Sequence, residues 1–229
     1  SPELSTYYES LSTNDNASES LKNQEGTYID TELRYSLIQD KRDQSFKPTE
    51  GYRASFNQKL PLYSESPSLI NGIDYSAYHS FSDNFIGSLR FHGRAINSLS
   101  SSEDVKLSER LSIPGRYLRG FEVGKIGPVD ASDYIGGNYV TALGFNAALP
   151  KLLPNLTNAD VSLFLDTGNV WGIDYDTNID ESNKLRSAFG VSVDWFTPIG
   201  PLSFSFSEAI TSASTDKPES FRFNIGTTF

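Results

Sequence analysis

Residues 28–37, YIDTELRYSL, put Ile29, Thr31, Leu33, Tyr35 and Leu37 on one side of an extended chain. Asp30, Glu32, Arg34 and Ser36 fall on the other side. A repeat of two is the strand period, because successive side chains of an extended backbone point to opposite faces. The same alternation returns along the whole chain. Tyr52, Ala54, Phe56 and Leu60 oppose Arg53, Ser55, Asn57 and Lys59. Ile73, Tyr75, Ala77 and His79 oppose Asp74, Ser76 and Ser80. Phe85, Leu89, Phe91 and Ala95 oppose Ser88, Arg90, His92 and Arg94. After an interruption come Tyr139–Ala147, then Val161, Leu163 and Leu165 against Asp160, Ser162 and Asp166. Phe189, Val191, Val193 and Trp195 follow, then Leu202, Phe204 and Phe206, and finally Phe221, Phe223, Ile225, Thr227 and Phe229. The pattern predicts an all-β, antiparallel chain of about nine strands, each roughly ten residues long, the length that crosses a bilayer when tilted.

Connections between these segments are of two kinds. TPIGP (197–201) and FSDN (81–84) are short, whereas 96–135 and 172–184 are long and polar. Short turns at one rim and long loops at the other are the habit of outer-membrane barrels. Tyr28, Tyr35, Tyr52, Trp171, Trp195 and Phe229 lie near segment ends, as interfacial aromatic girdles do. Periodicity alone does not separate a membrane barrel from a soluble β-sandwich. In the sandwich the aromatic face is the core; in the barrel it meets lipid. Strand length favours the barrel, because sandwich strands are commonly about 5–6 residues.

Composition removes several kinds of chemistry. The chain has no cysteine, so disulfides, a thiol nucleophile and zinc–thiolate sites are excluded. A net charge of −10 without a basic patch argues against nucleic acid as a partner. No run approaches the length of a transmembrane helix, and the negative mean hydropathy is compatible with strands apolar on one face only. The absence of methionine, and of a signal peptide before SPELSTYY, is read as the mark of an internal or processed piece of a longer chain. His79 and His92 lack ligand-spaced partners and read as wall residues rather than metal ligands. Asp174, Asp176, Asp180 and Glu181 lack the spacing of an EF-hand and read as a solvated loop. No catalytic triad, phosphate loop or paired catalytic carboxylates stand out.

The segment RYLRGFEVGKIGPVD, 116–130, breaks the alternation. Long ordered loops are uncommon and usually functional or disordered. Gly115, Gly120, Gly124 and Gly127 let this one fold back compactly. Inside a barrel, Arg119 would need a carboxylate, because an unpaired buried charge is costly. Asp166, on an inward position of a later strand, is the candidate.

In chain order LRGFEVGKIGP (118–128), YIGGN (134–138), FLDTGNVW (164–171), WFTPIGPLSFSF (195–206) and ESFRFNIGTTF (219–229), with DKRDQSFKPTEG (40–51) upstream, resemble the BamA family of outer-membrane β-barrel assembly factors. The resemblance covers about residues 27–229 and implies strands eight to sixteen of a sixteen-stranded transmembrane barrel. Residues 1–26 would be extracellular loop, 96–135 the loop that enters the lumen, and the periplasmic POTRA domains absent. It implies a loop-to-wall lock of Arg119, Gly120, Phe121 and Asp166, with Gly136 and Gly137 as the double glycine after the loop. It implies a lateral seam at the last strand, carried by Phe221, Phe223, Ile225, Gly226 and Phe229. The family often has a glutamate where this chain has Gly144. The implied function is insertion of β-barrel proteins into the bacterial outer membrane, with no enzymatic reaction, cofactor or metal. The implied partners are outer-membrane lipids, unfolded β-barrel clients and periplasmic accessory lipoproteins. Rival readings are a related barrel (TamA or a two-partner secretion pore) and a passive porin-like channel.

Overall fold

The computed structural model describes residues 2–101, 104–150, 152–153, 158–175, 179, 183–197 and 200–225, the side chain of Ser20 excepted. Gly226 and Phe229 of the expected seam lie outside the described residues. So do Asp176, Asp180 and Glu181 of the acidic loop, and part of the TPIGP turn.

The alternating segments become β2 (Gly26–Asp40), β3 (Gly51–Tyr63), β4 (Ser68–Ser82) and β5 (Phe85–Ser98). After the long loop come β8 (Tyr139–Leu149), β9 (Ala159–Trp171), β10 (Arg186–Thr197), β11 (Gly200–Thr211) and β12 (Phe221–Ile225). Two dipeptides within that loop, β6 (Val129–Asp130) and β7 (Asp133–Tyr134), pair as a small hairpin of their own. With β1 (Pro2–Leu11) ahead of them, the large sheet runs in the order β1-β2-β3-β4-β5-β8-β9-β10-β11-β12, every pair antiparallel. It is open, with β1 and β12 at its two ends.

The tenth strand corrects the expectation of loop across 1–26. β1 (Pro2–Leu11) pairs along β2 from Pro2–Tyr35 to Leu11–Gly26. Only the following stretch, with the single-turn helix α1 (Glu19–Lys22) capped by the Ser18 side chain, is connection. Alternation is present in β1, where Leu4 and Tyr8 stand exposed on one face while Tyr7 and Glu9 are half-buried on the other. Its outward face carries few apolar groups, so the pattern is faint in the sequence.

Burial separates the two architectures that periodicity left open. The exposed face of the sheet carries Leu37, Ile73, Phe145, Leu165, Phe189, Phe206, Phe221 and Phe223. The covered face carries Asp30, Glu32, His92, Asp166 and Arg186. Arg186, Glu32 and Asp166 are among the largest side chains that are fully buried. An apolar outside around a charged inside is the inverse of a soluble sandwich, and only a lipid surround makes that outer face stable. The connections agree. One rim has the turns 41–50 and 83–84. The opposite rim has the three longest connections, 12–25, 99–138 and 172–185, together with 64–67 and 212–220.

Leu165→Arg, near the middle of β9 on the outer face, should cost about 2–4 kcal/mol in a bilayer. Urea unfolding in lipid vesicles measures this. A soluble sheet would change by about 0.5 kcal/mol or less at such an exposed position.

Candidate functional site

The 99–138 loop lies against the charged inner face. Its apolar residues Ile113, Leu118, Phe121 and Ile126 form a buried cluster with Val140, Ala142, Val170 and Ala188 from the wall. That cluster gives a non-repetitive segment a fixed seat.

Within the seat, Arg119 meets Asp166. Arg119 Nε donates to Asp166 Oδ2 at 2.7 Å and Nη2 donates to Oδ1 at 2.9 Å. The Arg119 backbone N–H adds a third bond to Oδ2 at 3.0 Å. The Asp166 side chain has no exposed area and that of Arg119 is 12% exposed. A forked guanidinium–carboxylate pair satisfies both charges geometrically, which a lysine could not do. The guanidinium also stacks over Phe164, 3.5 Å from the ring centroid, a desolvated cation–π contact. Gly120 is required next to it. Its φ is +89°, and a Cβ there would stand 2.5 Å from the Ala188 Cβ. Phe121, 2% exposed, bridges to Pro218 of the β11–β12 connection. Arg119, Gly120, Phe121 and Asp166 thus come together, as the motif order suggested.

The double glycine also has a local cause. Gly136 has φ +71°, and a Cβ on it would lie 2.6 Å from the Leu111 carbonyl. A Cβ on Gly137 would lie 2.5 Å from the Trp171 carbonyl. Gly137 and Leu111 exchange backbone bonds of 2.8 and 2.9 Å. The loop therefore returns to the sheet through a passage with no room for side chains. Gly144 sits between Arg90 and Asp166 in the strand register. A Cβ at 144 would stand 2.9 Å from Asp166 Oδ1 and 3.7 Å from Arg90 Nη2. The notch at Gly144 is fronted by Arg90.

Three further attachments were not legible in the sequence. Tyr117 donates to Asp74 Oδ1 at 3.2 Å and stacks on His92, with ring centroids 4.4 Å apart. Asp74 also holds Arg94 at 2.6 Å and His92 Nδ1 at 2.7 Å. His92 is therefore a buried wall residue, while His79 is exposed beside Glu50. Lys106 pairs with Asp30 at 2.6 Å, and Glu109 takes Lys59, which also reaches Glu32. Arg110 pairs with Asp174, which accepts from the Val105 N–H at 3.0 Å and Asn138 Nδ2 at 3.1 Å. Burial acts to raise the Asp174 pKa, but these donors outweigh it and hold the carboxyl below its ordinary range. Phe221, Phe223 and Ile225 point outward on β12, with Phe221 and Phe223 against Phe206 and Phe204.

The family model of the Omp85 superfamily domain matches residues 2–229. The chain belongs to the Omp85 superfamily. It is a bacterial outer-membrane protein. It is 28% identical over 219 residues to the outer membrane protein assembly factor BamA of Neorickettsia risticii, covering 93% of this chain and 29% of that protein. It is 26% identical over 226 residues to BamA of Neisseria meningitidis, covering 83% of this chain and 28% of the relative. The crystal structure of BamA from Haemophilus ducreyi lacking POTRA domains 1–3 superposes with a TM-score of 0.77 at 25% identity. That match covers 86% of this chain and 42% of the other. The Omp85 chain thus spans less than a third of the length of these curated relatives.

Two outcomes are expected. Arg119→Ala and Asp166→Ala should each cost about 3–5 kcal/mol, and the double variant should cost far less than their sum. Heat-modifiable gel mobility and urea midpoints measure the cycle. Asp174 has a lowered folded pKa, so its contribution is complete above the unfolded value near 4 and lost as pH falls through the folded one. Acidification below pH 4 should lower the amide protection factors at 104–110 in the wild type, with a weaker pH dependence in Asp174→Asn.

Proposed function

We propose that the protein carrying this sheet folds and inserts other β-barrel proteins into the bacterial outer membrane. The carrying observation is the likeness to BamA assembly factors along most of this chain. In this reading β12, which pairs with β11, is the seam strand. An unpaired edge in lipid is costly, because nothing there satisfies its N–H and C=O groups. An incoming client strand satisfies them by strand addition. No covalent reaction is needed; backbone pairing drives the insertion. Phe221, Phe223, Ile225, Gly226 and Phe229 form the seam in this reading, with outer-membrane lipids on the aromatic face. Unfolded barrel proteins are the clients, and accessory lipoproteins bind elsewhere on the complete protein.

The loop-to-wall lock is the brace. Arg119 and Asp166 hold 99–138 against the wall, so the barrel keeps its shape while the seam is open. The buried cluster of Ile113, Leu118 and Phe121 argues against a passive channel, since it occupies the inner face a water column would need.

Ile225→Cys, in a chain free of other cysteines, should form disulfide adducts with cysteines in the terminal strand of a client stalled during assembly. The assay uses the whole protein in cells depleted of the wild-type copy. Ion conductance in planar bilayers without such adducts would favour the channel.

A further inference from the structure

Arg222 is an inward residue of β12 whose side chain is 10% exposed. It does not point at the wall. Its Nη1 donates to the Gly115 carbonyl at 2.8 Å and its Nη2 to the Phe121 carbonyl. Its Nε is held by Glu219 Oε2 at 2.7 Å. One guanidinium thus closes on two carbonyls that flank the Arg119 lock in sequence.

The backbone beside it does the same. β11 continues to Thr211, yet β12 begins at Phe221, opposite Phe206. Beyond Ser220 the lead-in residues turn to the loop. Glu219 N–H donates to the Gly120 carbonyl at 3.0 Å, and Glu122 N–H to the Lys217 carbonyl at 2.9 Å. Lys217 N–H returns a bond to the Lys125 carbonyl at 3.1 Å. Phe121 and Pro218 form the bridge between these bonds. Pro218 has no N–H, so it cannot complete a ladder with β11. Ser207 keeps the last link, donating to the Ser220 and Glu219 carbonyls at 2.9 and 3.0 Å.

We propose that the inner loop is a clamp on the last strand. Residues 120–125 and the Arg222 guanidinium hold the lead-in to β12 in place, so that the pairing of the sheet edge depends on the loop seated on Asp166. Releasing Arg222 loosens the edge while the Arg119–Asp166 pair stays made. The functional consequence, that the clamp meters access to the seam, rests on the assembly reading above.

The position can be tested from both sides. A Cβ on Gly115 would stand 2.6 Å from Arg222 Nη1 and 2.8 Å from Val123 Cγ2, so Gly115→Val displaces the guanidinium from the loop side with the sequence of β12 unchanged. Amide exchange is followed by mass spectrometry on the whole protein in lipid. In Arg222→Ala and in Gly115→Val, protection across 221–225 should fall by about tenfold or more, as expected for loss of a charge-assisted bond to a carbonyl. Protection of β9 and of β10 should stay unchanged. Arg222→Lys, which cannot fork between two carbonyls, should lie between wild type and alanine. Unchanged protection of 221–225 in either assembled variant would overturn the clamp. Lost protection with wild-type client insertion would leave the clamp standing and sink the seam reading instead.

Discussion

Asp166 is fully buried, and it stays tolerable there because Arg119 brings three donors to it from a loop 47 residues earlier in the chain. A carboxylate on this face without such a partner would carry the full desolvation penalty. The pair therefore works in two directions. It neutralises the wall, and it gives a segment with no periodic pattern a reason to lie where it does. Much else follows from that seat. A Cβ on Gly120 would meet the Ala188 Cβ, and one on Gly144 would meet the Asp166 carboxylate.

The same logic repeats around the inner face. Lys106 compensates Asp30, Glu109 and Glu32 share Lys59, Tyr117 and Arg94 converge on Asp74, and Arg186 grips Asp216 with no exposed area on either side chain. Those made by the 99–138 loop reach Asp30 on β2, Lys59 on β3 and Asp74 on β4, and with Asp166 on β9 they link strands far apart in sheet order. Buried ion pairs add little net stability relative to apolar packing. Their use here follows from the outer face. Lipid takes up the aromatic side of every strand, so cohesion between distant strands has to come from the polar side. Geometry-specific pairs also fix which loop residue sits against which strand, which apolar packing alone fixes less sharply.

Sequence made the sheet legible and the loop's attachments mostly opaque, for a physical reason. A strand announces itself because each residue's orientation follows from its neighbours, so Ile29 to Leu37 could be assigned to faces from the sequence alone. β1 escaped because its outward positions hold only Leu4, Thr6 and Tyr8 between glutamates. Arg119 and Asp166 could be matched because one was a charge in an unusual loop and the other a lone carboxylate in an apolar run. Lys106, Glu109 and Arg110 lie in KLSER, an ordinary solvated stretch by composition. Nothing local says that Lys106 is 3% exposed against Asp30. Tyr117 and Arg222 were likewise visible as residues and invisible as contacts. Their partners are backbone carbonyls and a wall carboxylate placed by the fold.

The two ends of the sheet are not equivalent. β1 pairs with β2 along its whole length, from Pro2–Tyr35 to Leu11–Gly26. β12 joins β11 opposite Phe206 and hands its lead-in residues to the loop. A strand edge in lipid is stable only when its backbone groups are satisfied, and a strand held at one end by a separate element is easier to move than one zipped along its neighbour. Local stability in a protein follows such differences in pairing. The element that seats itself on Asp166 is also the element that holds the start of β12. A change in the loop's seat therefore cannot leave the last strand unaffected. The mechanical link between the inside of the sheet and its edge includes Arg222, three backbone bonds and the Tyr134 hydroxyl on the Thr215 carbonyl.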